Sequence, residues 1–319
     1  MKQIEKDIEK TKWELLNTAQ GILKFPNPIN KCHRISTGSV KVVKGKDGSV
    51  GYRGVVTCKS AWACPICSPR LAKKKAEAIA MMDSRLMYKR VMVTYTVQHS
   101  IKDRLDDLID ILYNSLRRAR QGRKHAEFKE IALGYVRSTE ITYGKNGWHA
   151  HIHEMIYLRP DKTIDDVMST VVKHYKEGVA MNGRLVNQHT VDVKKWDGDS
   201  GYVTKGTEID EVVGWLNKSG QNSLNIFGIL RVAEDSDRHK DLYRHYYYST
   251  KGRKMTMVSR SLMDEYKYCE SEIEKEMENW EEAEVVKIIP ADAWKNICNA
   301  GVRYQLLLTI SDELELKKA

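Results

Sequence analysis

No stretch of this chain approaches the roughly 18 consecutive apolar residues that read as a membrane-spanning helix. No apolar run follows Met1 as it would in a secretory signal. Together these absences predict a soluble, cytoplasmic protein with no membrane partner. The pattern Gly-x-x-x-x-Gly-Lys-Ser/Thr is also missing, which excludes the phosphate-cradling loop of a P-loop motor. There is no internal repeat and no low-complexity tract, so a solenoid or a disordered tail is not expected. Cysteine is sparse, 6 in 319 residues. In a reducing cytosol such cysteines read as thiols or metal ligands before disulfides. A chain of this length can bury an ample core without covalent help, as one large domain or two small ones.

Positive charge, by contrast, is in excess: 53 Lys and Arg against 43 Asp and Glu, a net of +10. The distribution is uneven. Residues 263–284 carry ten acids against two bases, and the residues after them five bases against four acids, which leaves +17 on residues 1–262. A basic body of that size points to a polyanionic partner, above all nucleic acid.

Periodicity places the elements. Residues 1–20 read as an amphipathic helix, and 22–57 as irregular with a hairpin-like Gly-rich loop. Ser68 to Arg85 reads as a helix with Ser68 as its cap before Pro69. Val91 to Val97 alternates like a strand, and Ile101 to Arg120 forms an amphipathic helix with a basic end. Ile131–Tyr143 and Trp148–Leu158 read as two strands joined at Gly-Lys-Asn-Gly, an antiparallel hairpin. A helix over Thr163–Lys176, a short strand at Thr190–Lys194 and a helix over Ser200–Leu216 follow. Residues 263–319 read as helical. This order predicts an α+β fold with a central antiparallel sheet flanked by helices. The domains expected are 1–88 (N-terminal helix and metal-binding region), 89–262 (catalytic) and 263–319 (acidic, helical).

Two clusters carry chemistry. In GWHAHIHEM, His149, His151 and His153 occupy alternate positions, so in a strand all three imidazoles share one face. Ala150, Ile152 and Ile156 on the other face would anchor the strand in a core. Imidazole suits divalent transition ions. A catalytic ion needs open positions, which two histidines and one carboxylate would leave. Glu140, on the strand before, could face the histidines and is the nominated third ligand; Gln98 and His99 could approach the same place. The alternatives are a His-rich strand with satisfied side chains and a glutamate paired to Lys or Arg. The second cluster is TCKSAWACPICSPR, in which Cys58, Cys64 and Cys67 can meet one ion. Cys32 is the natural fourth ligand and His33 the fallback. Four closed ligands fit a structural zinc, with a redox Cys-x-x-Cys pair as the competing reading. Cys269 and Cys298 read as ordinary thiols.

Further along, Asp199, Tyr202 and Lys205 are spaced so as to share a helix face. A tyrosine hydroxyl, with an ordinary pKa near 10, needs activation to attack at neutral pH. Lys205 or a metal-polarised phosphate would supply it. Packing is the commoner use of a tyrosine in a chain that has 16 of them.

In this order the motifs resemble a known family. The segments CKSAWACPICSPRLAKKKA, VMVTYTVQH, RSTEITYGKNGWHAHIH, GYVTKG and LYRHYYYSTKGRKMTMVSRSL are similar to those of rolling-circle plasmid replication initiators. These belong to the HUH-endonuclease superfamily, in the branch with one catalytic tyrosine. The resemblance covers roughly residues 32 to 262. It implies His151 and His153 as the paired ligands, Glu140 as an acidic ligand, and His149 as an added ligand or DNA contact. It also implies Tyr202 as the nucleophile. A departure occurs four residues before the tyrosine, where relatives can carry a glutamate that activates water at termination. Here that position is Gly198, and Asp199 is the substitute. The implied cofactors are Mn²⁺ or Mg²⁺ in catalysis and Zn²⁺ in structure. The implied partners are single-stranded origin DNA and, with no P-loop present, a host helicase and a host DNA polymerase. A relaxase or single-strand transposase of the same superfamily would share these residues, and a zinc-stabilised DNA-binding regulator would need only the cysteines and the charge. The acidic C-terminal region could dock on the catalytic domain, form a homodimer or touch a host protein.

Lys73–Lys75, Arg117–Arg120 and Lys251–Lys254 are candidate phosphate contacts, and Trp62, Trp148 and Trp196 could stack bases or pack in the core. The electrostatic reading makes a measurable prediction. Binding to single-stranded DNA should weaken linearly in log K against log salt, with a slope of about −0.7 per phosphate contacted; a flat plot rejects it.

Overall fold

The computed structural model describes residues 3–24, 26–45, 48–195, 223–277 and 283–316. Along the chain run α1 (Gln3–Ile22), α2 (Pro28–Lys31), β1 (Ser36–Lys44), β2 (Val50–Val55), α3 (Cys67–Leu86) and β3 (Arg90–Thr96). Then come α4 (Leu105–Arg118), α5 (Arg123–Ile131), β4 (Ala132–Gly144), β5 (Gly147–Leu158) and α6 (Ile164–Asp166). A π-helical segment (Val167–Val172) joins α6 to α7 (Lys173–Met181), and β6 (Val191–Lys195) follows. After residue 222 the order is β7 (Ser223–Leu224), α8 (Ile226–Val232), α9 (Asp237–Thr250), β8 (Thr256–Val258) and α10 (Met263–Met277). The chain then forms β9 (Glu284–Ile289), α11 (Ala291–Asn299) and α12 (Arg303–Leu316). The fold is α+β with antiparallel sheets and flanking helices, as the alternating patterns imply.

Two compact units emerge. One comprises Met1–Leu71, Ile229–Arg244 and Glu272–Ala319; the other comprises Ala72–Gly228 and His245–Ser271.

In the first unit, β1 is the middle strand of an antiparallel sheet ordered β2-β1-β9. Val40, Val42 and Val43 are buried there. Residues 22–57 are therefore not irregular: they contain a β-hairpin. Val42 and Val43 are neighbours in a stretch that pairs regularly with β2, so they bury opposite faces of the strand, which breaks the alternation that reveals a half-buried strand; the register with β9 shifts between them by one extra residue on β9. The stretch after residue 262 is likewise not wholly helical, because β9 returns to pair with β1. Ser68 lies inside α3 rather than at its cap, and its hydroxyl donates to the carbonyl of Ala61 at 2.7 Å.

The second unit is built on a sheet ordered β6-β3-β5-β4-β7, with β8 also pairing β4. Among the described residues β5 is central, and β4 and β5 pair in register from Gly144↔Gly147 to Ala132↔Leu158, with one irregularity at the far end. The two-residue turn works because Gly147 adopts φ +87, a region that favours glycine. A Cβ there would also come within 2.8 Å of the Ile101 Cα. One sheet face is apolar: Val93, Tyr95, Ile141, Ala150, Ile152 and Ile156 are buried. α4 is amphipathic, burying Leu105, Leu108, Ile109, Leu112 and Leu116 at helical spacing. It meets α7 closely at Gly178, where a Cβ would lie 2.5 Å from the Ser115 carbonyl oxygen.

One charged group sits inside this apolar face. Glu154 is fully buried and accepts from Arg120 at 2.7 Å and from the Tyr95 hydroxyl at 2.8 Å. Arg137, its cross-strand partner, stands 3.4 Å away. Arg120 also lies over the Phe128 ring, 3.5 Å from its centroid. Burial alone would raise the Glu154 pKa, but Arg120 and Arg137 outweigh it and hold the carboxylate below its usual range. Arg120 is thus committed to the interior and is not a phosphate contact. Removing one partner of a buried ion cluster strands the others, typically at about 3–5 kcal/mol. Glu154→Leu is therefore expected to lower stability on that scale, measured as the shift in chemical-denaturation midpoint. A shift worth under about 1 kcal/mol would mean that water already serves the two arginines.

Candidate active site and metal centres

The pleat of the β4–β5 hairpin sets the first site. Directly paired residues share a face, and the register pairs Glu140 with His151, Ser138 with His153, and Thr142 with His149. On the other side, β3 sets Thr94 against His153 and Thr96 against His151. The result is a polar face on which one Glu140 carboxylate oxygen lies 3.0 Å from His151 Nε2 and 3.1 Å from His153 Nε2. Burial would raise the Glu140 pKa; hydrogen bonds and charge from the two imidazoles outweigh it and hold the carboxyl well below the usual range.

These three side chains can hold a metal ion. The donor set, two imidazole nitrogens and one carboxylate oxygen, is that of the facial triads that leave coordination positions open. The spacing fits as well: neighbouring ligands of an octahedral ion with bonds of about 2.1 Å stand about 3.0 Å apart. The His153 Nδ1 shares a hydrogen bond of 3.0 Å with the Thr94 hydroxyl. With Nε2 turned to an ion, Nδ1–H donates to that oxygen and fixes ring and tautomer. Thr94 was not singled out from the sequence; only the β3–β5 register reveals it.

His149 stands beside this group and not within it. Its ring centroid is 5.0 Å from that of His151 and 4.9 Å from that of His99. Burial first, then the neighbouring imidazoles, push its pKa down to about 4. His99 does approach the site, as its place at the end of β3 suggests. Asp199, Tyr202 and Lys205 lie outside the described residues, as does Trp196. Trp62 and Trp148 are core residues, and the Trp148 indole donates to His245 at 3.3 Å. Of the other basic runs, Lys73, Arg117, Lys251 and Lys254 are exposed, Lys73 with Glu77 4.0 Å away; Lys74, Lys75, Arg118 and Arg253 are half-buried, Lys74 facing Glu270 at 4.0 Å and Arg253 pairing with Asp110 at 2.6 Å.

The second centre is in the first unit. Cys32, Cys58, Cys64 and Cys67 bring their sulfurs within 4.8 Å of one another. The Cys32 sulfur is 3.6 Å from that of Cys67 and 3.7 Å from that of Cys64. A tetrahedral ion with Zn–S bonds of about 2.3 Å separates its sulfurs by about 3.8 Å, so the four fit. Backbone amides of Cys58 and Cys67 donate to Cys32 and Cys64 sulfurs at 3.5 and 3.4 Å, the support expected for thiolates. Hydrogen bonds from the other three cysteines pull the Cys67 pKa far down, and burial pushes Cys64 up. The fallback ligand His33 is outside the cluster, packed edge-on against Trp13 at 5.2 Å. Cys269 and Cys298 are buried and lie outside the cluster.

Glu140→Ala removes the sole carboxylate of the three-donor group among the described residues. Affinity for Mn²⁺ at that site is expected to fall at least tenfold, the lower bound seen for losing even a supporting group. Titration calorimetry would measure it, with metal content of the cysteine centre unchanged. His149→Ala should have the smaller effect; equal losses would place His149 among the ligands.

A family model described as Replication protein (Rep_1) matches residues 51–297, most of the chain. Among curated proteins the chain is 31% identical to "Protein rep" of Streptomyces lividans, over 37% of this chain and 33% of that protein. It is 26% identical to the "Neomycin resistance protein" of Streptomyces cyanogenus, over 35% and 32%. It is also 26% identical to "Protein rep" of Lentilactobacillus hilgardii, over 43% of each. The chain thus spans between about a third and two fifths of these relatives' lengths. No solved structure matches it. With both the Rep-named relatives and a family match that takes in the cysteine cluster from Cys58 onward and the whole Glu140–His151–His153 face, the chain belongs to the Replication protein family.

Proposed function

We propose that this protein initiates rolling-circle replication by nicking and rejoining single-stranded origin DNA. The observation that carries the reading is the convergence of Glu140, His151 and His153 on one open sheet face. Such a face suits the HUH class of tyrosine nucleases that the motifs resemble. Glu140, His151 and His153 would hold Mn²⁺ or Mg²⁺, and Thr94 would keep the His153 ring in its binding orientation. When bound, the ion would polarise the scissile phosphate and offset the charge that develops on it.

The remaining chemistry falls to the chain and the DNA. The Tyr202 oxygen attacks phosphorus, a phosphorus–oxygen bond forms, and the bond from phosphorus to the 3′ oxygen breaks. The tyrosine proton passes to a base or to solvent, and the leaving 3′ oxygen takes up a proton. The products are a 5′-phosphotyrosine and a free 3′-OH that can prime synthesis. The bond energy is retained, so the step needs no ATP and reverses when a new 3′-OH attacks. Lys205 would favour the tyrosinate, and Asp199 would draw a proton from water at termination. Lys73, Arg117, Lys251 and Lys254 would contact phosphates along the strand.

Zinc on the four cysteines would be structural, since four protein ligands leave no open position. Residues 89–262 would form the nicking domain, 1–88 its metal-braced N-terminal part and 263–319 an accessory region of helices and one strand. No helix among the described residues is long and apolar enough to cross a membrane, and a cytoplasmic location would suit a protein that hands its primer to a host polymerase and relies on a host helicase.

Incubating wild type and Tyr202→Phe with single-stranded origin DNA and Mn²⁺ tests this reading. Wild type should cleave and form a denaturant-stable adduct that chelator abolishes. The variant should form none. An adduct that survives in Tyr202→Phe would move the nucleophile to another tyrosine. No cleavage of a verified origin would favour the non-catalytic DNA-binding regulator.

A further inference from the structure

In the first unit a guanidinium is buried without an anion. Arg303, the first residue of α12, is 1% exposed. Its Nη1 donates to the carbonyl of His33 at 3.0 Å. Its Nη2 donates to the side-chain oxygen of Gln20 at 3.0 Å and to that of Asn17. Its Nε has no hydrogen-bond partner. Every one of these acceptors is neutral, and among the described residues no carboxylate lies within ion-pair distance of it. An isolated buried cation is among the most unfavourable arrangements in a protein interior. A compensating negative charge is therefore called for nearby.

The four-cysteine centre is the source at hand. The residue that accepts from Arg303, His33, follows Cys32 directly. Gln20, which also accepts from Arg303, donates from its amide nitrogen to the Cys32 carbonyl at 2.7 Å. The same two residues thus hold both the guanidinium and the backbone of a ligand cysteine. Four thiolates around a divalent ion carry a formal net charge of −2, and four neutral thiols carry none. Burial lowers the Arg303 pKa and the nearby Arg34 lowers it further, while the Cys298 and Cys32 thiols act in the opposite direction without reversing the shift.

We propose that Arg303 is the buried counter-charge of the four-cysteine metal centre, and that this pairing makes docking of α12 against α1 depend on the bound metal. The proposal rests on reading the cysteines as a metal centre. Arg303 is a positioning residue in this scheme and touches no substrate. Its own carbonyl is held by the Tyr52 hydroxyl at 2.6 Å, and Asn17 on α1 donates to the Gly301 carbonyl at 3.3 Å. The chain entering α12 is therefore tied to α1 and to β2 around the same charge.

The test uses the full chain in three forms: wild type, Arg303→Lys and Arg303→Met. Elemental analysis first measures metal per chain, and transfer of the ion to a chromophoric chelator then gives its release rate. Wild type without tightly held metal would bring down the metal-centre reading itself, and the proposal with it. With metal present, Arg303→Met should release it some 10 to 100 times faster, the span seen when groups supporting ligands are lost. Arg303→Lys, which keeps the charge, should stay closer to wild type. A wild-type rate in Arg303→Met, or equal acceleration in both variants, would overturn the charge pairing. Hydrogen exchange on wild type needs no variant to fold. Stripping the metal should cut protection in Arg303–Leu316 at least tenfold while β4 and β5 keep theirs. Protection of that helix unchanged within twofold would overturn the coupling.

Discussion

The register between β4 and β5 is the constraint on which the rest of the site depends. Side chains alternate across a strand, so a slip of one residue would turn His149, His151 and His153 inward and set Glu154 on the outer face. Both faces resist that slip. The position beside the Ile101 backbone admits only glycine, which ties Gly147 to the turn, and the inner face offers Glu154 the two arginines that make its burial tolerable. The buried ion cluster and the half-buried donor cluster are consequences of one pairing, seen from its two sides.

Polar groups on such a strand need support from elsewhere, and each finds it on a different neighbour. Thr94 on β3 shares a hydrogen bond with Nδ1 of His153, and Tyr95, the next residue, donates to Glu154 on the opposite face. Two consecutive residues of β3 therefore serve the two faces of β5. A hydroxyl at each position does what an apolar strand residue could not: it adds a hydrogen bond to a buried polar side chain. The apolar alternation of β3 conceals this role, since Thr and Tyr are ordinary strand residues.

The first unit is held by a different logic. Its sheet is closed by β9, which comes from the far end of the chain to pair with β1. Its cysteine centre gathers ligands from two segments separated by the β1–β2 hairpin. Sequence-distant pieces that meet this way lose loop-closure entropy before their contacts form, and the hydrogen bonds of the buried Arg303 to His33 and Gln20 help to offset it.

What the amino-acid sequence determined alone is local and periodic. Alternating histidines, a Gly-flanked two-residue turn and a Cys-Pro-x-Cys knuckle specify their own geometry over a few residues, and from them the β4–β5 hairpin, the Glu140–His151–His153 face and the four-cysteine cluster were all legible. Burial of both faces at Val42 and Val43 hid a strand, because it interrupts the alternation by which strands are read. The pairing of β9 with β1, the service of Thr94 to His153, the withdrawal of Arg120 into the core and the isolation of Arg303 were decided by tertiary structure. Each depends on which distant backbone arrives beside it, and an arginine in a basic run looks the same whether it meets a phosphate or a buried glutamate.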